Sequence, residues 1–379
     1  MNERKTWRKI NAKAVIYPHD HTGAPPRSSV NDELQTVGPT KLIPAIKNPF
    51  ILGPRSESVK LCYQRGPIVG SGCFGLVFKV KIRKFGFRLD EHFQSNSNMD
   101  QAALKIVVVK RRENRELSIL KTLNHENIVK LHFYSFSRHD VDHEEAADGP
   151  MEEVCLNMFF EFMPLSLFDE IQSHPQGLSH GTSLKYLEQL AIGLQYLHDH
   201  VHVCHRDIKP SNLLVSADRS CLKICDFGSA TVLSARQTHV SYVCSRYYRA
   251  PELLLGSEDY DERIDIWSVG CVLGEMIGAQ VVFKGEDNMD QLVEIIHVLG
   301  TLEEDVLTEM KVPIKFLDQS VLASRLTGTF PERLQTQLQE HRPDAIFEGV
   351  LQILCDILQY IPQKRPRAVD ILYNLAALP

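Results

Sequence analysis

The chain has 379 residues, of which 43% are hydrophobic and 24% charged, so it can bury a large core and form more than one lobe. No run of about 18 apolar residues occurs and the N-terminus has no apolar secretory stretch, which argues against a membrane-spanning helix and a signal peptide. Nine scattered cysteines argue against a disulfide framework or zinc cluster and favour a reducing intracellular compartment.

The net charge of −6 is unevenly distributed along the chain. Residues 1–59 carry nine Lys and Arg against five Asp and Glu, a balance of +4, which leaves 33 against 43 and a balance of −10 for the rest. An acidic body of this kind predicts no nucleic-acid partner. The head holds seven of the 19 prolines without any sustained period, so residues 1–59 are predicted to be a mostly disordered extension.

Short β-rich runs follow the head. Residues 61–69, 76–82 and 102–109 predict three strands of an antiparallel sheet, with an exposed loop over 83–101. A stretch free of Gly and Pro, residues 110–123, predicts a helix.

The chain becomes helical after Pro164. One long amphipathic helix is marked by leucines from Leu184 to Leu197. Further helices are predicted over residues 264–278, 289–299, 349–360 and 368–375.

A glycine-rich segment connects the first two predicted strands. It reads Gly-Ser-Gly-Cys-Phe-Gly-Leu-Val, with glycines at Gly70, Gly72 and Gly75 and a valine at Val77. Glycines let the backbone close over phosphates, and a strand on both sides favours a nucleotide-covering hairpin over a dinucleotide fingerprint, in which a helix would follow.

Lys105 lies on the third predicted strand, and Glu116 follows eleven residues later on the predicted helix. A lysine in this position binds the α- and β-phosphates of ATP and pairs with a glutamate of the next helix. Two unrelated surface charges are the alternative, which the preceding glycine segment disfavours.

Residues 203–212 read Val-Cys-His-Arg-Asp-Ile-Lys-Pro-Ser-Asn, and Asp-Phe-Gly follows from Asp226. In this pattern Asp207 accepts the proton of a substrate hydroxyl and Lys209 neutralises the γ-phosphate, while Asn212 and Asp226 hold Mg²⁺. Together the motifs predict phosphoryl transfer from ATP with Mg²⁺ as cofactor.

Three further expectations concern the packing around these motifs. The histidines from His198 to His205 resemble a metal cluster but are predicted to pack instead, because alternate residues leaving a helix diverge. Asp265 is expected to brace the catalytic-loop backbone, and Glu252 is expected to find a buried partner in Arg365.

Residues 60–379 resemble a eukaryotic protein kinase domain. Within that superfamily, residues 240–252 (Val-Ser-Tyr-Val-Cys-Ser-Arg-Tyr-Tyr-Arg-Ala-Pro-Glu) and 290–301 are similar to glycogen synthase kinase-3, of the CMGC group. The resemblance implies an α+β bilobal fold, with a small antiparallel N-lobe sheet and one regulatory helix over about residues 60–160, a hinge at 161–164 and a mostly helical C-lobe over 165–379. It also implies Ser/Thr hydroxyls of proteins as substrates and a cytoplasmic location, with the nucleus left open as a second one.

The same resemblance assigns further residues. Tyr242 is the activation-segment phosphosite, Phe160 is the gatekeeper, Glu161 and Met163 of the hinge bind adenine, and Leu214 lies beneath the ring. The remaining nucleotide-contacting positions it implies are Val69, Val77 and Ala103.

Two departures from the family pattern bear on substrates. The family's pocket for a priming phosphate uses three basic residues, which map to Arg115, Arg206 and position 231, where this chain has Thr231. A weakened dependence on primed substrates is therefore expected. Similarity fades after Thr301, which leaves open whether scaffold proteins bind the C-lobe.

Two alternatives remain beside an active kinase of this type. A pseudokinase scaffold is disfavoured because Lys105, Glu116, Asp207, Asn212 and Asp226 are all present. A mitogen-activated or cyclin-dependent kinase is disfavoured because neither a Thr-x-Tyr motif before Tyr242 nor a cyclin-contact helix sequence before Glu116 occurs.

Overall fold

The computed structural model describes residues 50–52, 58–72, 75–85, 101–109, 114–140, 152–233, 242–302, 304–310, 329–338 and 345–378. They divide into two compact units. The sheet unit comprises described residues of Met1–Arg112 and Leu131–Phe162, and the helical unit those of Glu113–Lys130 and Met163–Pro379. Most of the head, residues 73–74 of the glycine-rich segment and most of the loop predicted over 83–101 lie outside the described residues.

Six antiparallel strands form the sheet unit. They are β1 Phe50–Leu52, β2 Ser58–Gly72, β3 Gly75–Phe85, β4 Gln101–Val109, β5 Leu131–Asp140 and β6 Glu152–Glu161. The strand order is β1-β2-β3-β4-β6-β5, and β1 also pairs with β5, so the sheet closes into a barrel. The three strands predicted over 61–69, 76–82 and 102–109 are confirmed.

Two short pieces of the head lie in strands of the sheet unit. Phe50 pairs with Val59 and Ile51 with Tyr134, and residues 50–52 and 58–59 belong to the head that is predicted to be mostly disordered. The backbone of β1 pairs with the edges of both β2 and β5, and edge pairing is a common way to remove exposed strand edges.

Most elements of the helical unit are helices. They are α1 Arg115–Leu120, α2 Leu167–Gln172, α3 His180–Gln195, α4 Pro251–Leu254, α5 Arg263–Gly278, α6 Asn288–Leu299, α7 Glu304–Glu309, α8 Phe330–Gln337, α9 Ala345–Ile357 and α10 Ala368–Ala376. None of the helices in the described ranges is long and apolar enough to cross a bilayer. The predicted α+β class is confirmed.

Five short strands accompany these helices. They are β7 Leu165–Ser166, β8 Val203–Cys204, β9 Leu213–Val215, β10 Leu222–Ile224 and β11 Thr231–Val232. They form two small antiparallel sheets, one in the order β10-β9-β7 and one of β11 with β8.

The helix predicted over residues 110–123 differs from α1 in its start and its grouping. Asn114 is extended, with φ −132°, and its side chain accepts a hydrogen bond from the Leu117 amide, so it caps a helix that begins at Arg115. The loop after α1 bonds to β10, through Ile224 N to Asn127 O at 2.8 Å and Val129 N to Ile224 O at 2.9 Å. These bonds explain why α1, which the sequence assigns to the N-lobe, groups with the helical unit.

The long helix predicted around Leu184–Leu197 ends sooner than its leucine pattern. The α-helix α3 stops at Gln195, and a single π-helical turn, Tyr196–His200, follows before β8. Such turns are rare and are found often at functional sites. Here the turn leads directly to the segment that carries Asp207.

Helix α5 is almost entirely buried in the helical unit. Fourteen of its 16 residues are buried, and a Cβ added at Gly270 would lie 2.6 Å from a methyl carbon of Ile357 on α9. Because no side of the helix faces water, its polar side chains must find partners inside the protein. Asp265 and Glu275, near its two ends, do so in different ways.

Helix α4 is held by the ion pair that the sequence predicts. Arg365 donates from Nη1 to Oε1 and from Nη2 to Oε2 of Glu252, both at 2.7 Å, and both side chains are at most 2% exposed. The expectation that Arg365 is the buried partner of Glu252 is confirmed.

Candidate active site

Asp207 is surrounded by hydrogen-bond donors. The Asn212 amide nitrogen lies 2.9 Å and the Lys209 ammonium 2.9 Å from its Oδ2. Ser245 donates to Oδ1 from both its backbone N, at 3.1 Å, and its Oγ, at 2.8 Å. Four donors fix the orientation of the carboxylate, as a group that must meet a substrate hydroxyl requires.

Ser245 is the functional residue that the sequence interpretation missed. Its Oγ accepts a hydrogen bond from Lys209 at 2.8 Å while donating to Asp207, so it bridges the two residues. Residue 245 is 38 positions from Asp207, and only the fold brings them together. The signal available in the sequence was a hydroxyl residue close before the Ala-Pro-Glu end of the activation segment.

Asp265 anchors the backbone before Asp207, as predicted. Its carboxylate accepts from the amides of His205 and Arg206, both at 2.8 Å, and from the imidazole of His198 at 2.9 Å and the Cys204 thiol at 3.3 Å. Burial acts to raise the pKa of Asp265, but the bonds and charges of His198 and His205 outweigh it and hold the pKa below its usual value.

The residues predicted to hold Mg²⁺ lie on neighbouring segments. The Cys225 amide donates to the Asn212 carbonyl at 2.9 Å, which brings Asp226 beside the catalytic loop. Asp226 has a left-handed backbone, with φ +61°, and its carboxylate accepts from the Gly228 amide at 3.4 Å. The Asn212 amide nitrogen donates to Asp207, so its oxygen is the atom left for a cation, and amide and carboxylate oxygens suit Mg²⁺.

The histidines near this loop pack rather than form a cluster. His205 bonds the Cys225 carbonyl at 3.0 Å and its ring meets that of Phe227 edge-on, with centroids 5.0 Å apart. Within the described ranges, no three His, Cys, Asp or Glu side chains are grouped so that they could hold a metal ion.

In the sheet unit, four predicted nucleotide-contacting residues share one face of the barrel wall. The register pairs Val77 with Lys105 and Ala103 with Phe160. Paired residues and alternate residues of a strand point to the same side. The opposite face is the apolar core, which includes Phe78, Val80, Ala102, Leu104, Ile106 and Phe159.

The glycine segment is a hairpin between β2 and β3. Gly70 pairs with Val77 and Gly72 with Gly75, while Val69 is half exposed. Gly75 has φ +128°, and a Cβ there would lie 2.2 Å from the Ile106 carbonyl oxygen. This position therefore requires glycine.

Several predicted contacts involve residues that the structure divides between the two units. Lys105, in the sheet unit, and Glu116, in the helical unit, are 7% and 5% exposed, and their ion pair stays a prediction. Glu161 ends β6, and the chain passes into the helical unit between Phe162 and Met163. Leu214 lies on β9.

The residues of the predicted phosphate pocket converge on the segment after Asp226. Arg115 donates to the Gly228 carbonyl at 3.4 Å, and Arg206 donates to the Ser229 carbonyl at 2.7 Å and the Tyr260 hydroxyl at 3.0 Å. Burial and the charge of Arg206 lower the pKa of Arg115, as expected for neighbouring cations. Thr231 pairs with Cys204, two residues before Arg206.

Tyr242, the predicted phosphosite, is 54% exposed. The Arg249 guanidinium lies over its ring, 4.5 Å from the centroid. Arg249 also binds the carbonyls of Val243 and Cys244, at 2.9 and 2.7 Å, so it supports the segment on which Tyr242 lies.

Comparisons with known proteins agree with these motifs. The family model of the protein kinase domain matches residues 63–374. Similar proteins include the serine/threonine-protein kinase RIM11/MSD1 of Saccharomyces cerevisiae, 36% identical over 320 residues, which cover 84% of this chain and 77% of that protein. Protein kinase gsk3 of Schizosaccharomyces pombe is 37% identical over 325 residues, covering 84% and 75%. Glycogen synthase kinase 1 of Pyricularia oryzae is 35% identical over 325 residues, covering 85% and 74%.

Proposed function

The chain belongs to the protein kinase family, in its glycogen synthase kinase-3-like Ser/Thr branch, and we propose that it transfers the γ-phosphate of ATP to Ser and Thr hydroxyls of proteins. The observation that carries this proposal is the set of four donors around the Asp207 carboxylate, from Asn212, Lys209 and Ser245. The complete set of predicted catalytic side chains favours an active enzyme over a pseudokinase scaffold.

The residues present fit ATP and Mg²⁺. Asn212 and Asp226 would hold the cation through oxygen atoms, and Lys105 would bind the α- and β-phosphates. Bound Mg²⁺ neutralises phosphate charge. The oxygens that the cation needs belong to Asn212 and Asp226. The hydrogen bond from the Cys225 amide to the Asn212 carbonyl holds their two backbone segments side by side.

In the proposed reaction the protein positions groups and moves one proton. Asp207 orients the acceptor hydroxyl and takes up its proton as the oxygen bonds to the γ-phosphorus, and the bond from that phosphorus to the β–γ bridging oxygen breaks with its electron pair on ADP. Lys209, 2.9 Å from Asp207, neutralises charge on the transferred group.

The test is phosphorylation of a degenerate peptide array by the purified chain with Mg²⁺ and radiolabelled ATP. Arrays with Ser, Thr or Tyr as sole acceptor are compared, and Asp226→Ala is the control for a contaminating kinase. Label on the Ser and Thr arrays that disappears in the control is expected. Absence of transfer by the wild type under all conditions would instead favour the scaffold alternative.

We also propose that the chain depends less on primed substrates than its family. Arg115 and Arg206 supply two positive charges to the pocket, and Thr231 stands where the family has a basic residue. A charge-assisted hydrogen bond is worth about 1.5–3 kcal/mol, so Thr231→Lys should raise the preference for a primed peptide about tenfold.

The measurement is kcat/KM for one peptide with and without a phosphoserine four residues after the acceptor. Thr231→Val, which keeps the shape of threonine, removes its hydroxyl and adds no charge, is the matched control and should not raise the preference. A rise of less than about threefold in the lysine variant would contradict the weakened-priming proposal.

A further inference from the structure

Glu275, near the end of α5, is a buried carboxyl group to which the reaction described above gives no role. Glu275 is 2% exposed. Within the described part of the chain, it accepts a hydrogen bond from the Tyr248 hydroxyl, which lies 2.6 Å from its Oε2. Leaving a carboxylate in apolar surroundings with so few donors is costly. Burial raises the pKa of Glu275 to about 7, although the bond from Tyr248 opposes the rise.

Tyr248 connects this carboxyl group to Asp207 through one short turn. It ends the 3-10 helical turn Arg246–Tyr248, and its amide donates to the Ser245 carbonyl at 2.9 Å. Its own carbonyl accepts from the Ser268 hydroxyl of α5 at 2.7 Å. Ser245, at the other end of the turn, donates both its amide and its hydroxyl to Asp207.

We propose that ionised Glu275 is a positioning residue for phosphoryl transfer, which holds Tyr248 and, through the turn at residues 246–248, fixes Ser245 against Asp207. This inference rests on the proposed function. A carboxylate accepts a shorter and stronger hydrogen bond from a hydroxyl than a neutral carboxyl group does. Protonation of Glu275 therefore loosens the turn without removing any catalytic side chain.

Within the described part of the chain, two titratable groups interact electrostatically with Glu275. They are Tyr248, from the turn, and Cys271, one helical turn earlier on α5, while Asp207 acts on Tyr248 and Arg365 on Cys271 from farther away. Burial and the charge of Glu275 raise the pKa of both the Tyr248 hydroxyl and the Cys271 thiol. Among Glu275, Tyr248 and Cys271, Glu275 alone changes charge between about pH 6 and pH 8.

The test uses the full chain, with Glu275→Gln as a permanently neutral form and Tyr248→Phe as a form without the donor. Glu258→Gln, on the exposed surface, is the matched control. At pH 8, Glu275→Gln and Tyr248→Phe should each lower kcat about tenfold with the KM for ATP unchanged, and Glu258→Gln should match the wild type.

The decisive readout is the ratio of wild-type kcat to Glu275→Gln kcat from pH 6 to pH 8.5. The effects of ionisations that both proteins share, including those of ATP, cancel in this ratio. The ratio should approach one at pH 6 and rise with a midpoint near pH 7. A ratio that is constant with pH, or close to one throughout, overturns the inference while leaving the proposed function intact.

Hydrogen exchange supplies a second readout that needs no activity. The Tyr248 amide, bonded to Ser245, should exchange faster in Glu275→Gln than in the wild type at pH 8 and equally fast at pH 6. Equal exchange at both pH values would overturn the inference even if the wild type transferred no phosphate. Absence of transfer combined with the expected exchange difference would reject the proposed function alone.

Discussion

Helix α5 carries a buried carboxylate near each end, and the two differ in how many donors they meet. Asp265 accepts four hydrogen bonds, from His198, Cys204, His205 and Arg206. Glu275 is bonded by Tyr248. Both side chains are at most 2% exposed, yet the pKa of Asp265 is lowered by its partners and that of Glu275 is raised to about 7 by burial.

The difference shows that burial alone does not decide what a carboxylate does for a fold. Four donors compensate Asp265 for the loss of water, so its ionised form stabilises the catalytic loop. The one donor that Glu275 meets among the described residues does not compensate it, so its ionised form reduces stability. Groups that reduce stability are frequently retained for function, in agreement with a positioning role for Glu275.

The two carboxylates also give opposite pH dependence to stability. The pKa of Asp265 is lower in the folded than in the unfolded chain, so its contribution is present above about pH 4 and is lost as pH falls through the folded value. The pKa of Glu275 is higher in the folded chain. Its contribution is therefore most favourable below pH 4.5 and decreases as pH rises through about 7.

The largest effect is expected for Asp265→Asn. The NH2 group of the new asparagine would face one of the four groups that now donate to Asp265, so two hydrogen-bond donors would meet without an acceptor. We expect a loss of about 3–5 kcal/mol in the free energy of unfolding and a fall of about 10²-fold in kcat as the loop before Asp207 shifts. Urea denaturation and steady-state kinetics measure both. A loss below about 1 kcal/mol would contradict the claim that four donors stabilise ionised Asp265.

Glu275→Gln should raise the free energy of unfolding, whereas Asp265→Asn should lower it. The pKa of Glu275 rises from 4.5 to about 7 on folding, so ionisation costs the wild type about 3 kcal/mol by pH 8. The variant should gain about that much stability relative to the wild type between pH 5 and pH 8. Urea denaturation at the two pH values measures the gain, and a difference independent of pH would mean that Glu275 does not titrate on folding.

Two single-donor deletions give the smallest and most closely matched effects. Tyr248→Phe removes the donor to Glu275 and should cost about 1.5–3 kcal/mol at pH 8, but less at pH 5, where the carboxyl group is neutral. Cys204→Ala removes one of four donors to Asp265 and should cost about 1 kcal/mol at both pH values. Thermal unfolding of both variants at pH 5 and pH 8 checks this, and equal pH dependence of the two costs would contradict the comparison.

Local sequence patterns were sufficient for the elements whose determinants are local. Short β-rich runs predicted the three strands over 61–69, 76–82 and 102–109, and α5 and α6 begin within one residue of their predicted starts. The start of α1 was misplaced because one side chain, Asn114, caps the helix inside a stretch whose lack of Gly and Pro gives no sign of a boundary.

The site was predictable where motifs fix roles and not where the fold joins distant segments. The Asp265 and Arg365 contacts follow from motif residues. Ser245 and Glu275 do not, because their effects depend on which side chains meet across 38 and 27 residues of separation. The pairing of β1 with β5 is likewise a long-range contact that a proline-rich composition conceals.

The measurement that most directly tests Asp207 as the base of phosphoryl transfer is a single-turnover comparison of the wild type with Asp207→Asn. Asp207 is held by groups of the catalytic loop and Ser245, so its loss should reduce the rate of transfer about 10²–10⁴-fold. The Kd for ATP should stay within about twofold, because the predicted nucleotide contacts are made by other residues. A variant that keeps more than about a tenth of the wild-type rate would contradict the assignment.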